Sequence, residues 1–294
     1  MVIHKILVTG SNGQLGWELS QAATSYPQFE FVFVDRNAMD LSNPNELEGI
    51  IQLFTPSAII NTAAYTAVDK AESEKELAHT INAEAVAALA GIAKKRNIPF
   101  ISFSTDYVFN GNAERPYLTD TKIEPVNYYG QTKADGEQMA IAANDNTIII
   151  RTSWVFSSHG NNFVKTMMRL MKDKDALNIV GDQRGRPTYA KDLALATIQI
   201  LIALNAGTVI KGIYHYANAG ETTWFKFAEK IKEFAGLECE LTAITSDQFP
   251  TPAKRPSYSV LDTHKIEKDL GLHIPQWEIA LKQCIPQLTQ SERC

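Results

Sequence analysis

Short, unbroken apolar runs alternate with segments of helical periodicity through the first half of the chain. KILVTG (5–10) reads as a buried strand ending on glycine, and Gln14 to Ala23 as the helix after it. FVFVD (31–35), SAIINTAA (57–64), PFISFST (99–105) and NTIIIRTSW (146–154) repeat the strand pattern. Between them, SNPNELEGIIQLF (42–54) opens a helix, with Asn43 as N-cap and Pro44 at the first helical position. Alanine content predicts one long helix over 71–96. A further helix is expected from about Tyr129 to Ala143. Strands separated by helices imply βαβ units, and runs such as Ile148-Ile149-Ile150 fit strands covered on both faces. The fold class expected is α/β, a Rossmann-type doubly wound parallel sheet.

After Trp154 the rhythm loosens. Helices are expected at 161–173, 191–205, 222–235 and 277–284, with short strands near 177–180 and 212–217. Pro and Gly cluster at 181–187, and Pro at 250–256. This pattern suggests a second, smaller mixed α/β lobe interleaved with the first. Residues 1–155 would form the dinucleotide-binding domain, to which the chain returns around 185–215. Residues 156–184 and 216–294 would form the substrate lobe. No internal repeat or low-complexity tract interrupts this division.

Composition narrows the class. The chain has 294 residues, 45% hydrophobic and 21% charged, as in ordinary soluble globular proteins. A net charge of -5 and the lack of an extended basic run speak against nucleic acid or an anionic membrane as partner. No stretch approaches the roughly 18 apolar residues that span a bilayer. Cys239, Cys284 and Cys294 match no disulfide or metal framework, and MVIHKILVTG lacks the features of a signal peptide. Both point to the cytoplasm. The six histidines are scattered, so no catalytic metal is expected.

The first strand runs into TGSNGQLG, with glycines at 10, 13 and 16. Such a loop between strand and helix permits a tight turn, close approach of a pyrophosphate and tight helix–strand packing. Free N–H groups at the helix start would then hold the anion. Asp35 lies about 20 residues on, where an acid binds the adenosine ribose hydroxyls. Its neighbour Arg36 would instead pair with a 2′-phosphate. Asp35 argues for NAD and Arg36 for NADP, and the choice stays open. Asp40 is equally readable as an adenine contact or a helix-start aspartate.

Tyr129 and Lys133 are four apart, so a helix carries them on one face; Tyr128 is offset from it. Carbonyl reduction needs hydride at carbon and a proton at oxygen. A free tyrosine, pKa ~10, is a sluggish acid/base, and a nearby cation lowers that value. Ser104 or Thr105, at the end of the fourth strand, offers a hydroxyl to the carbonyl oxygen.

Taken in this order, these motifs resemble the extended short-chain dehydrogenase/reductase superfamily. AAYTAVDKAESE (63–74), STDYVF (104–109), YGQTKADGE (129–137), RTSWVF (151–156), GNNFVKTMMRL (160–170), DQRGRPT (182–188) and RPSYSVLDTHKI (255–266) are similar to the dTDP-4-dehydrorhamnose reductase family. The resemblance runs from residue 10 to about 266. It implies reduction of the 4-keto group of dTDP-4-dehydro-L-rhamnose by NADPH or NADH, giving dTDP-L-rhamnose for cell-surface polysaccharide. Tyr129 would protonate the O4 alkoxide. Lys133 would bind the nicotinamide ribose and depress the tyrosine pKa, and Thr105 would polarise the carbonyl. Asn12, Gly13, Gln14, Leu15, Asp35, Asp40, Leu41, Ala63, Ala64 and Tyr65 match cofactor contacts.

Asp106 and Trp154 match sugar contacts in the family, with a turn cap and a lobe-junction core residue as the plainer readings. Thr66 and Val68 are candidates for substrate or for loop packing. Asn162 and Arg255 are candidates for the diphosphate or for capping and surface roles; a guanidinium suits phosphate by its paired donors. Arg184 and Arg186 add positive charge to DQRGRPT. Some relatives bridge a homodimer through magnesium. Glu18 fits such a site, but Lys191 stands where a second acid would be wanted. Two other functions fit the resemblance: reduction of a different NDP-4-keto sugar, and a non-catalytic regulatory role like that of the methionine adenosyltransferase β subunit. Intact Tyr129, Lys133 and Thr105 favour an enzyme.

Overall fold

The computed structural model describes residues 3–291. In chain order the first half comprises β1 (Lys5–Thr9), α1 (Gln14–Ala23), β2 (Glu30–Val34), α2 (Leu47–Phe54), β3 (Ala58–Asn61), α3 (Val68–Ala71), α4 (Lys75–His79), α5 (Ala85–Arg96), β4 (Phe100–Thr105), α6 (Tyr128–Ala143) and β5 (Ile148–Thr152). The second half adds β6 (Val155–Phe156), α7 (Phe163–Asp173), β7 (Ala176–Val180), β8 (Arg184–Gly185), β9 (Thr188–Tyr189), α8 (Ala190–Asn205), β10 (Gly212–His215), β11 (Thr222–Thr223), α9 (Trp224–Ala235), β12 (Glu240–Ile244), α10 (His264–Leu270) and α11 (Trp277–Ser291).

Six strands form one parallel sheet in the order β10-β5-β4-β3-β1-β2. Alternate residues of each strand face opposite sides. Ile6, Val8, Ile60, Ile101, Ile148 and Ile150 pack on one face with α1 and α8. Leu7, Ile59 and Phe100 pack on the other with α2 and α5. The expected doubly wound sheet is therefore present, with helices on both faces. The chain leaves β1 outward to β2 and returns across it to β3. This reversal opens a crevice beyond the carboxyl ends of β1 and β3, the usual ligand position in such sheets.

β10 lies beside β5, so the chain re-enters the sheet late. Ile266 of α10 and Ile274 join the sheet's core. A separate core unites α7, α9 and α11 through Met167, Met168, Phe227, Trp277 and Leu281. No helix among the described residues is long and apolar enough to cross a membrane. Cys239 and Cys284 are buried free thiols; Cys294 lies outside the described residues.

Three local expectations are corrected. The helix over 71–96 is not continuous: α3 ends at Ala71, α4 starts at Lys75, and Thr80–Glu84 forms a π turn before α5. Propensity cannot register what holds the π turn, which is long-range. Asn82 in the π turn accepts from the Tyr65 amide (2.9 Å) and donates to the Tyr65 carbonyl (3.0 Å) and the Thr132 hydroxyl (3.1 Å). Second, Pro44 opens a 3-10 turn, Pro44–Glu46, before α2, and the Asn43 side chain makes no cap bond. Third, α11 continues through Pro286 to Ser291. Proline in a helix interior removes a hydrogen bond and is normally a stop, so an end near 284 was the expectation.

One buried charge network ties α6 to the sheet. Arg151 of β5 donates from Nε to Glu137 Oε1 (2.9 Å) and from Nη2 to Oε2 (2.6 Å), both residues nearly inaccessible. Arg151 Nη1 also reaches the Thr119 carbonyl (3.2 Å) and His215 Nε2 (3.3 Å). His215 donates from Nδ1 to the Asp262 carbonyl at 3.2 Å. Burial, then the Arg151 charge, push the His215 pKa down to about 3. The unfolded chain therefore takes up a proton near pH 6.5 that the folded chain refuses, so stability falls as pH drops from 6.5 towards 3. Between pH 6.5 and 5 this loss is expected to reach about 2 kcal/mol. Denaturant titrations at both pH values should show it, and His215→Gln should flatten the difference.

Candidate functional site

The glycine loop follows from backbone geometry. Gly10 turns at φ +72°, where a side chain is strained, and a Cβ there would lie 2.6 Å from the Ala63 amide nitrogen. A Cβ on Gly16 would lie 2.3 Å from the Gly10 carbonyl, so α1 sits directly on the turn. Gly13 caps α1 without a side-chain bond, and no acid occupies the first turn. Its free N–H groups and helix dipole suit an anion. Leu15 packs into the core behind. The loop thus lies in the crevice against Ala63, with Ala64 and Tyr65 following. These residues fit a dinucleotide: the bare Gly10 and Gly16 let the Ala63 segment and α1 close on the turn, which brings the free N–H groups at the start of α1 to the crevice where a pyrophosphate would lie.

At the end of β2, Asp35 Oδ1 accepts from the Asn37 and Ala38 amides (3.0 and 3.1 Å), and Oδ2 from Asn12 Nδ2 (3.3 Å). The carboxylate is held beside the glycine loop. Arg36 instead donates from Nε to Asp40 Oδ2 at 3.2 Å. Asp40 Oδ1 accepts from the Ser42 amide, and that bond, then Arg36, hold the Asp40 carboxyl below its ordinary range. Leu41 is buried beneath.

At the end of β4, the Thr105 hydroxyl accepts from the Tyr107 amide (3.2 Å) and donates to Asp106 Oδ1 (3.0 Å). Asp106 Oδ2 and Ser104 Oγ are buried without a partner. α6 begins at Tyr128, one residue earlier than expected. Asn127 caps it by accepting from the Gly130 amide (2.8 Å), and Glu72 accepts from the Tyr128 amide (2.8 Å). Gly130 is pressed on the Tyr107 carbonyl, 2.2 Å from where its Cβ would lie. Tyr129 then stands edge-on to Tyr107, ring centroids 5.9 Å apart. Tyr128 points elsewhere, its ring under the Lys75 ammonium.

Lys133, buried one turn along α6, donates to the Phe103 carbonyl at 2.7 Å. Burial pulls its pKa down to about 8, against the opposing pull of Glu137. The expected depression of the tyrosine pKa by Lys133 is not what this arrangement produces. Burial and the neighbouring Asp106 push the Tyr129 hydroxyl above its ordinary value, and only the Thr105 hydrogen bond works the other way. The lysine's charge is directed at the β4 backbone rather than at the phenol.

The lobe contributes an aromatic shelf. Trp154 adopts φ +47° and stacks on Trp224 at 3.6 Å. Gly185 leaves room for it, since a Cβ there would lie 2.6 Å from the indole. Arg255 donates from Nη2 to Asp69 Oδ2 (2.9 Å) and from Nη1 to the Ala253 carbonyl (3.0 Å), with its guanidinium over the Tyr107 ring. Asp69 Oδ1 also accepts from the Ala253 amide. The segment of Thr66 and Val68 is thereby latched to the loop around residue 253. Asn162 caps α7 by accepting from the Lys165 amide (3.1 Å) and donates to Gln14 Oε1 (2.9 Å), joining lobe to glycine loop.

Tyr129, Thr105 and Asp106 thus meet at the end of β4, with Lys133 behind them and Arg255 beyond Tyr107. Arg36 and Asn162 are each engaged elsewhere. Arg184 pairs with Glu221 at 2.8 Å, and Arg186 Nε is buried without a partner. Glu18 is buried, accepts from the Ser157 hydroxyl (2.6 Å) and has Lys191 nearby; burial raises its pKa. No group of His, Cys, Asp and Glu that could hold a metal occurs among the described residues.

Sequence reasoning did not single out Tyr107, Trp224, Asn82 or His159. His159 stacks on Trp17 and donates from Nε2 to the Asn12 carbonyl at 3.0 Å, closing the loop from the lobe side. Tyr107 lies within STDYVF and was open to notice. Trp224 is distant from Trp154 in sequence and carries no local signal.

A family model described as the RmlD substrate binding domain matches residues 4–290. A dTDP-4-dehydrorhamnose reductase of Aggregatibacter actinomycetemcomitans is 40% identical over 285 residues, covering 95% of this chain and 97% of that protein. The crystal structure of a dTDP-4-dehydrorhamnose reductase from Clostridium acetobutylicum superposes with a TM-score of 0.92 at 37% identity, covering 97% of this chain and 99% of that one. That of the Bacillus anthracis dTDP-4-dehydrorhamnose reductase, in complex with NADP, superposes with a TM-score of 0.91 at 33% identity, covering 98% and 100%.

Proposed function

This chain belongs to the RmlD substrate binding domain family, and from that premise we propose that it reduces the 4-keto group of dTDP-4-dehydro-L-rhamnose to give dTDP-L-rhamnose. The nicotinamide coenzyme, NADPH or NADH, supplies hydride to C4 when bound. Tyr129 gives its proton to O4, and the Thr105 hydroxyl polarises the carbonyl. Lys133 keeps two donors beyond the Phe103 carbonyl for the ribose hydroxyls. The glycine loop, with Asn12, Gln14 and Leu15, and the segment Ala63 to Tyr65 hold the coenzyme; Asp35 faces its adenosine ribose.

Asp106, Trp154, Thr66 and Val68 receive the sugar, in a cleft between a cofactor domain (1–155 with 185–215) and a lobe (156–184 with 216–291), from which the stretch of α10 to Ile274 returns to pack in the sheet's core. Arg255 is engaged by Asp69 and Ala253, which favours loop closure over a diphosphate contact. Asn162 likewise serves as a cap and a link to Gln14. Magnesium has no part in the reading, because Glu18 faces Ser157 and Lys191.

The observation that carries this reading is the convergence of Tyr129 with Thr105 and Asp106 at the sheet's carboxyl edge, beside the glycine loop. The test is oxidation of NADPH and NADH with dTDP-4-dehydro-L-rhamnose, with the product identified by NMR. Turnover only with another keto sugar would replace the substrate. No turnover with any would return the chain to the regulatory class.

Coenzyme choice follows from one exposed pair. Asp40 holds Arg36 through Nε alone and competes with a 2′-phosphate for its charge. Asp40→Asn is therefore expected to raise the NADPH-to-NADH ratio of kcat/KM about threefold, in keeping with the small worth of exposed ion pairs. An unchanged ratio would remove Arg36 from coenzyme selection.

A further inference from the structure

The least explained group in the site is Asp106. It is 2% exposed, yet no cation pairs with it among the described residues. Arg255 pairs with Asp69 instead, and Lys133 donates to the Phe103 carbonyl. One carboxyl oxygen has no hydrogen bond of ordinary length, and the other meets the Thr105 hydroxyl at 3.0 Å, with Ser259 and the Tyr107 amide close by. Burial outweighs these hydrogen bonds and favours the protonated acid. The groups facing it are Thr105 from β4, Tyr129 from α6, Tyr107, and Ser259 from the segment before α10. Arg255 and Asp69 lie beyond Tyr107 and offset one another.

Thr105 links this acid to the phenol. Its oxygen already accepts from the Tyr107 amide, and its hydroxyl lies between Asp106 and Tyr129. A threonine hydroxyl has one hydrogen to give and two lone pairs to receive. It can therefore accept from a protonated Asp106, while its one hydrogen, which polarises the carbonyl before hydride arrives, turns to Tyr129 once O4 has been protonated.

Resting on the reductase reading above, we propose that Asp106 is the proton reservoir of the site and reloads Tyr129 through the Thr105 hydroxyl. As hydride reaches C4, the Tyr129 O–H bond breaks and the O4–H bond forms. The phenolate takes the Thr105 hydrogen, and Thr105 takes the proton of Asp106. The Asp106 carboxylate then recovers a proton from solvent. The substrate gains one hydride and one solvent proton, and Tyr129 and Thr105 end as they began. The relay also avoids a buried tyrosinate beside an ionised carboxylate, which would place two like charges together. Burial raises the Asp106 pKa to about 7, so the reservoir is filled below neutrality and empties as pH rises.

The test is kcat/KM against pH, which reports ionisations of the free enzyme. The wild type should fall above a limb near pH 7. Asp106→Asn keeps the shape but cannot release a proton; it should lose that limb and drop about 100-fold below it. A second limb near 8, from Lys133, should persist in both. Thr105→Ser should keep the limb near 7 and Thr105→Val should lose it, which separates relay from packing should the aspartate variant fold poorly. A limb near 7 that survives in folded Asp106→Asn or in Thr105→Val overturns the proposal. Should the reductase reading itself fail, the wild type oxidises no coenzyme with this sugar at any pH. Failure of the relay alone leaves the wild type active and the limb unmoved.

Discussion

Tyr129→Phe is expected to lower kcat with dTDP-4-dehydro-L-rhamnose at least about 100-fold, the low end for loss of an acid/base group. The ring, its packing on Tyr107 and the helix all survive, because only the hydroxyl is removed. Substrate affinity should change far less than turnover, since the lost group acts on charge developing at O4. Tyr128→Phe is the internal control. Its amide, not its hydroxyl, is held by Glu72, and its ring lies under Lys75. Steady-state rates for the two variants decide the matter: loss in Tyr128→Phe with a normal Tyr129→Phe would refute the assignment of the proton donor.

Glu137→Leu should cost about 3–5 kcal/mol of stability, as expected when one partner of a buried ion pair is removed. Arg151 would remain fully buried, with only the Thr119 carbonyl, His215 and the Phe109 ring for company. A double variant with Arg151→Met should recover most of the loss, because the uncompensated charge goes too. Guanidinium titrations of the four species measure this directly. Additive losses in the double variant would mean that the pair is not the source. Glu137 also lies one turn beyond Lys133, so the same pair anchors the helix that carries the site.

Much of the sheet was legible because buried parallel strands advertise themselves as unbroken apolar runs. Ile148-Ile149-Ile150 and the KILVTG run lie in it. The β12 strand, Glu240–Ile244, was not legible: it is mostly exposed and pairs only with β7 among the described residues. The π turn within the 71–96 stretch escaped because alanine content measures local preference, whereas Asn82 answers to Tyr65 and Thr132. In the site, a four-residue spacing sufficed to place Tyr129 and Lys133 on one helical face. Their electrostatics could not be read, since the burial that sets them comes from β4, α6 and a segment near Ser259 that meet only in the folded chain. The same limit hid the Trp154–Trp224 stack.

The π turn at Thr80–Glu84 has a consequence for how this scaffold tolerates change. Asn82 fixes the coenzyme-side segment at Tyr65 and the interior of α6 at Thr132 with one side chain, and its carbonyl lies over Gly136, 2.1 Å from where a Cβ would be. A one-residue deletion here would restore ordinary helical winding and leave the rest of α5 near its present register, but it would carry Asn82 away from Tyr65 and Thr132. Grafting a foreign segment over 63–74 without its matching asparagine would leave two segments with no common reference. The extra residue acts as a surveyor's benchmark from which both halves of the cleft are levelled, and chimaeras of this architecture should be cut on either side of it, never through it.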